Sequence, residues 1–213
     1  MKNSWQEWEE CFQPVSGPVL AEDYNAAQWG AHLKYFSGNN DFPDVPGTGF
    51  DIVLLGCGYD MEDLSASCNQ TPDSVRHWFY RLYKGDYAVR VADLGNFSLR
   101  RSVEETCLQL GRIMAEIQES GAVPLLIGGG SELNFSMYRS FTLLGRYANL
   151  LEVSPVLHFK EVSEALTPEN VLGRMLGEEP QMLFHYCNLG YQTYFNPPEL
   201  LGLFKQFHFD LMR

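Results

Sequence analysis

The sequence predicts an α/β fold of three layers, with helices on both faces of a mainly parallel sheet. Short apolar runs of strand length recur along the chain, and each is followed by a stretch with helical hydrophobic spacing, the order that builds βαβ units. The runs are nearly continuous rather than alternating, as strands buried on both faces require. With 213 residues, 45% of them hydrophobic, the chain can bury one sizeable core and has no need of two.

The elements can be justified in order. Residues 1–50 mix Trp5, Trp8, Phe12, Trp29 and Tyr35 with Gly and Pro and end in Phe42-Pro43-Asp44-Val45-Pro46-Gly47, so they read as an N-terminal extension packed on a domain spanning 51–213. Asp51-Ile52-Val53-Leu54-Leu55-Gly56 is the first buried strand. At Thr71-Pro72 a helix begins, with Thr as cap and Pro in the first turn, and its stripe of Val75, Trp78, Phe79 and Leu82 is expected to face the sheet. A strand is predicted over 87–93. Ser102 and Glu105 have the spacing of a capping box, opening a helix whose Val103, Cys107, Leu110, Met114 and Ile117 share a face and which Gly121 should end. Further strands are expected over 123–127, 147–153 and 182–186, and further helices over 132–144, from Thr167-Pro168-Glu169, and from Asn196-Pro197-Pro198, where Leu200, Leu203, Phe204 and Phe207 share a face.

Charge and cysteine content narrow the function. A net charge of −12, from 27 acidic and 15 basic residues, argues against nucleic acid, whose backbone is bound mainly through Lys and Arg. Five scattered cysteines without a Cys-x-x-Cys pair suit a reducing, cytoplasmic setting. Nothing resembles a signal peptide or the ~20 apolar residues of a membrane span.

In open α/β sheets ligands bind beyond the carboxyl ends of the strands, so four segments are candidates: Gly56-Cys57-Gly58, Asp93-Leu94-Gly95-Asn96, Gly128-Gly129-Gly130-Ser131-Glu132, and Glu152-Val153-Ser154. The first lacks the third glycine of a dinucleotide fingerprint, because Met61 stands there, and reads as a tight turn. The glycine run leads into a predicted helix, whose free N–H groups and dipole could hold an anion, although a plain strand-to-helix turn capped by Ser131 satisfies the same pattern. Of the histidines, His185 in an apolar strand reads as a hydrogen-bonded core residue, and Asp60-Met61-Glu62-Asp63 as a solvated acidic loop.

Three of these stretches carry a resemblance. Thr71-Pro72-Asp73-Ser74-Val75-Arg76 looks like a Gly-Pro-x-x-Ile-Arg helix start, Val91-Ala92-Asp93-Leu94-Gly95-Asn96 like a Val-Asp-Leu-Gly-Asp strand end, and Pro124-Leu125-Leu126-Ile127-Gly128-Gly129 like the strand before Gly-Gly-Asp-His-Ser. In this order they resemble the arginase/agmatinase/formimidoylglutamase (ureohydrolase) family over roughly 51–213. Asn188-Leu189-Gly190-Tyr191-Gln192-Thr193-Tyr194 and the closing Phe207-His208-Phe209-Asp210-Leu211-Met212-Arg213 resemble the formimidoylglutamase branch, whose polypeptide continues further, so an N-terminal portion of an arginase-like fold is implied.

The resemblance also implies where manganese would bind and what has replaced its ligands. Ser131 stands at the ligand histidine of Gly-Gly-Asp-His-Ser. In the family's Asp-Ala-His-x-Asp motif only Glu152 keeps a metal-binding group, since Ser154 and Val156 replace the histidine and second aspartate, and no Asp-x-Asp occurs anywhere. The expectation is therefore a ureohydrolase-like domain that binds no cofactor and is non-catalytic, with a binding, regulatory or oligomer-forming role. Two rivals stand beside it: a manganese-dependent hydrolase of non-peptide C–N bonds, and a small amino-acid or anion binding module. A surviving ligand site is expected to be lined by Asp93, Asn96, Gly129, Gly130, Ser131, Glu132 and Glu152, to take a small amino-acid-like ligand, and to be accompanied by self-association through an uncovered strand edge.

Overall fold

In the computed structural model, which describes residues 4–20, 22–58, 70–160 and 165–213, the chain divides into two units, Met1–Gly130 and Ser131–Arg213. Cys68 and the acidic stretch around Met61 lie outside the described residues.

The first unit contains three one-turn helices, α1 (Ser4–Glu7), α2 (Gly17–Leu20) and α3 (Val45–Thr48), and two two-residue strands, β1 (Phe12–Gln13) and β2 (Lys34–Tyr35). Then come β3 (Ile52–Gly56), α4 (Thr71–Phe79), β4 (Val91–Phe97), α5 (Val103–Glu119) and β5 (Val123–Ile127). The sheet runs β1-β4-β3-β5, with β2 also paired to β4; every pairing is parallel except β1 with β4. The N-terminal residues thus contribute strands to the sheet.

Local signals placed several elements correctly. Ser102 Oγ accepts the Glu105 N–H at 3.1 Å, and Val103, Cys107, Leu110, Met114 and Ile117 are all buried on α5. Gly121, at φ 90°, follows its end, and β5 has the expected bounds.

Three expectations are corrected. Of the stripe expected on α4 Phe79 packs against the core, but Val75 is 43% exposed, Trp78 68% and Leu82 beyond the helix 57%, while Pro72 and Arg76 are buried instead. The strand expected over 87–93 starts at Val91 and ends at Phe97, which moves Asp93 from the strand's last position, and Asn96 from beyond it, into the strand's interior. Finally, β5 is an edge strand, so Leu125, which a central strand would bury, is 50% exposed. The N–H of Val123 bonds the carbonyl of Asp51, just before β3, so alternate residues, beginning with Pro124, turn their backbone to the open edge, where proline has no donor to offer.

The second unit begins with a 3-10 turn (Ser131–Leu133) leading into α6 (Asn134–Leu143), followed by β6 (Ala148–Val153), α7 (Val171–Leu176), β7 (Leu183–Leu189), α8 (Pro198–Gln206) and β8 (Asp210–Met212). Its sheet is parallel in the order β6-β7-β8. The helix expected from Thr167 begins at Val171, and β7 runs to Leu189 rather than stopping at Tyr186. Ser131 does not cap a helix; its hydroxyl donates to the Pro168 carbonyl at 3.4 Å. His185 is less enclosed than expected: 40% of its side chain is exposed, and Nε2 meets Asp210 Oδ2 at 2.9 Å. No helix of the described residues is long and apolar enough to cross a membrane.

Candidate functional site

Two strand carboxylates dominate the polar chemistry of the chain, one in each unit. In the first unit Asp93 sits on β4, in register with Leu54 on β3 and Tyr35 on β2. A charge enclosed between strands must be neutralised, and Arg76 from α4 does so bidentately, with Nε to Oδ2 and Nη2 to Oδ1 both at 2.8 Å. Both side chains are fully buried. The Tyr80 hydroxyl donates to Oδ2 at 3.0 Å and the Gly95 N–H to Oδ1 at 2.9 Å, so the roughly four lone-pair positions of the carboxylate are taken.

Arg76 is equally satisfied. Its remaining N–H groups reach the Gly95 carbonyl at 2.9 Å, Asn96 Oδ1 at 2.5 Å and Asp73 Oδ1 at 3.1 Å. Two glycines make this packing feasible. A Cβ on Gly56 would lie 2.0 Å from Asn96 Oδ1, and Gly95 adopts φ 81°, in the left-handed region. Burial and the neighbouring Asp93 push the Tyr80 phenol far above its ordinary pKa; for Arg76, burial works against the charge, but Asp93 more than compensates and holds its pKa up.

The second unit presents the opposite situation. A cavity of about 420 Å³ carries the polar groups of Ser131, Asn134, Glu152, Ser154, His158 and Tyr186. Leu150, Leu172 and Met175 supply apolar wall, and among the described residues no Lys or Arg lines it. Glu152 of β6 accepts the Tyr186 hydroxyl on Oε2, while Oε1 has no protein partner among the described residues. Burial, and then the Glu152 charge, push the Tyr186 phenol far above its ordinary pKa, so the proton stays on the tyrosine. Asn188, in register with Glu152 and two residues along β7 from Tyr186, stands on the same face as Tyr186. Its side chain is fully buried beside the Tyr186 phenol, and neither amide atom makes a hydrogen bond of normal geometry. Ser154 is turned inward on its own loop, its hydroxyl bonding the carbonyl and N–H of Val156.

The expected site residues therefore fall into separate groups. Asp93 and Asn96 come together around Arg76; Ser131 and Glu152 line one cavity in the second unit; Glu132 is fully buried and does not line it; Gly129 and Gly130 follow β5 at the end of the first unit. Sequence reasoning passed over Arg76, His158, Tyr186 and Asn188. The period of two along a strand would have paired Tyr186 with Asn188, but nothing local links either to Glu152.

The resemblance raises the question of manganese, and the described residues at the positions it assigns do not fit a binuclear centre. Such a centre needs several carboxylates and imidazoles converging at fixed distance. At the matched positions stand two hydroxyls, a valine and one glutamate already hydrogen-bonded to Tyr186, and among the described residues no group of three or more His, Cys, Asp and Glu side chains could hold a metal ion.

Comparison with known proteins places these observations in a family. A family model described as Arginase family matches residues 50–155. The fold is similar to that of a Trypanosoma cruzi formiminoglutamase solved with Mn2+ (17% identity, TM-score 0.66, covering 76% of this chain and 60% of that one). It is also similar to formimidoylglutamase from Bacillus subtilis (13%, 0.71, 99% and 66%) and to arginase from Bacillus subtilis (16%, 0.61, 76% and 62%). This chain thus spans about 60% of the length of the first. No curated protein matches. Residues 50–155 accordingly match the arginase family, and the chain carries the mainly parallel α/β fold of these arginase-type structures.

Proposed function

We propose that this chain is a formimidoylglutamase-like ureohydrolase domain without manganese-dependent catalysis, retained for binding a small amino-acid-like ligand and for regulation or self-association. One observation carries the reading: the only metal-binding group left at the matched positions, Glu152, is engaged by Tyr186, and hydroxyls or an alkyl group occupy the others. The family's chemistry uses metal ions to lower the pKa of water, and one partly engaged carboxylate is a poor basis for holding two of them. The cavity, lined by both polar and apolar side chains, is of a size that suits a small metabolite. Self-association is supported by the open edges of β5 and β6, where Val123, Leu125, Leu151 and Val153 are exposed.

The test is metal analysis of protein purified without chelator, together with assays on arginine, agmatine and formimidoylglutamate. The expected result is no stoichiometric manganese and no release of urea or formamide. About two tightly bound ions per chain would overturn the reading in favour of a metal-dependent hydrolase.

A further inference from the structure

Ala148, Leu150 and Glu152 alternate along β6 and so share one face, which runs from a methyl group to a carboxylate over four residues, about 13 Å. On α6, Asn134, Met137, Tyr138 and Phe141 fall at i, i+3, i+4 and i+7, a single helical stripe. The cavity of about 420 Å³ takes Glu152, Leu150 and Asn134 from these two sets. A second cavity, of about 100 Å³, takes Ala148, Leu150 and the whole α6 stripe, together with Met175 and Leu183. Asn134, Leu150 and Met175 line both, so the two adjoin. Asn134 is exposed, and Met175 is unbranched with three rotatable bonds, so the boundary is not a fixed wall.

The smaller cavity has its own chemistry. Apart from Asn134 and Asn149 its walls are aliphatic or aromatic, and the Tyr138 hydroxyl is satisfied, donating to Gln181 Oε1 and accepting the Met182 N–H, both at 3.2 Å. Space against such walls forfeits contacts that hydrocarbon restores, with little ordered water to displace. We infer that the two cavities form one elongated site for an amino acid with an uncharged aliphatic side chain, its polar end in the larger cavity and its tail running past Leu150 toward Ala148. This rests on reading the larger cavity as an amino-acid site and goes further by naming the side chain. The tail, not the head, is what the geometry selects: a charged tail would lose its water against Met137, Phe141 and Leu183, with no counter-charge among the lining residues.

The test is calorimetric titration of the full chain with alanine, norvaline, norleucine and lysine, the last being the norleucine chain ending in an ammonium. Affinity is expected to rise about threefold or more per methylene from alanine to norleucine, and lysine to bind about tenfold or more weakly than norleucine. Met137→Trp, its fold checked by circular dichroism, fills the smaller cavity and should abolish the gain from the tail while leaving alanine binding within about twofold. Independently of any variant, the methyl carbon resonance of Met137 in the unmodified chain should shift with norleucine and stay in place with alanine. Affinity flat from alanine to norleucine, lysine bound as tightly as norleucine, a tail gain that survives in folded Met137→Trp, or a Met137 methyl that norleucine leaves unmoved overturns the inference. If alanine binds and the tail adds nothing, the amino-acid reading stands and this inference falls. If none of the four binds, both fall.

Discussion

Asp93 and Glu152 are both carboxylates on parallel strands of one chain, and their surroundings give them opposite work. Asp93 accepts from two nitrogens of Arg76, from Tyr80 and from its neighbour Gly95, so no lone pair is left for a ligand. Glu152 accepts from one tyrosine and presents its other oxygen beside a cavity. A saturated carboxylate fixes the geometry of its own fold, because every group that touches it would be stranded if it left. An unsaturated one retains binding capacity, and its removal strands little. Asp93 accordingly serves the architecture, and we propose only Glu152 for recognition.

The comparison is sharpest under the same conservative change at the two positions. Asp93→Asn leaves the buried Arg76 charge with only the part-exposed Asp73 as counter-charge, and should lower stability by about 3–5 kcal/mol, read as a shift of the urea midpoint. A midpoint within error of the unmodified chain would show that Arg76 reaches solvent and that the network is not what holds β4 to α4.

Apolar burial provides a second contrast, between the centre and the edge of the first sheet. Leu54 on β3 is 1% exposed, and Leu54→Ala should cost about 2–5 kcal/mol. Leu125 on β5 is half exposed, and Leu125→Ala should cost less than about 1 kcal/mol. Equal losses would mean that the β5 edge is covered in solution, which is also what self-association through that edge predicts; dilution would then separate the two.

Alkaline pH tests the Asp93 network without mutating the carboxylate. The folded pKa of Tyr80 is raised, so the stability tied to its proton is complete below about pH 10, the unfolded value, and is lost as pH rises toward the folded value. Above about pH 10 this group should contribute a slope of about −1.4 kcal/mol per pH unit. Tyr80→Phe should remove that contribution, at a cost of about 1–2 kcal/mol near neutrality for the orphaned acceptor. An unaltered alkaline slope in Tyr80→Phe would assign the effect to other tyrosines, of which Tyr186 is the first to examine.

The smallest effect belongs to Glu152→Gln. The glutamine carbonyl can still accept from Tyr186, so stability should change by less than about 1 kcal/mol while binding of a small amino-acid-like ligand in the cavity weakens. Unfolding of this variant would put Glu152 in the same class as Asp93 and dissolve the contrast.

The sequence by itself determined what is written in local spacing. The Ser102 cap, the buried face of α5, the stop at Gly121 and the bounds of β5 follow from neighbours within a few residues, and helical and strand periods register them directly. The mainly parallel α/β class followed from the alternation of those elements, and the matched motifs pointed to the arginase family. Tertiary structure alone decided which strand is an edge, and so why Leu125 is exposed, because strand order depends on pairing between distant segments. It also decided the rotation of α4. The apolar stripe of Val75, Trp78 and Leu82 was the reasonable local choice for the buried face, yet Arg76 is buried because Asp93, 17 residues away in sequence and enclosed in the sheet, requires a counter-charge. The recognition site is likewise non-local: Glu152 and Tyr186 are 34 residues apart and meet only because β6 pairs with β7. Hydrophobic period is a property of one segment, whereas the partner of a buried charge is a property of the whole chain.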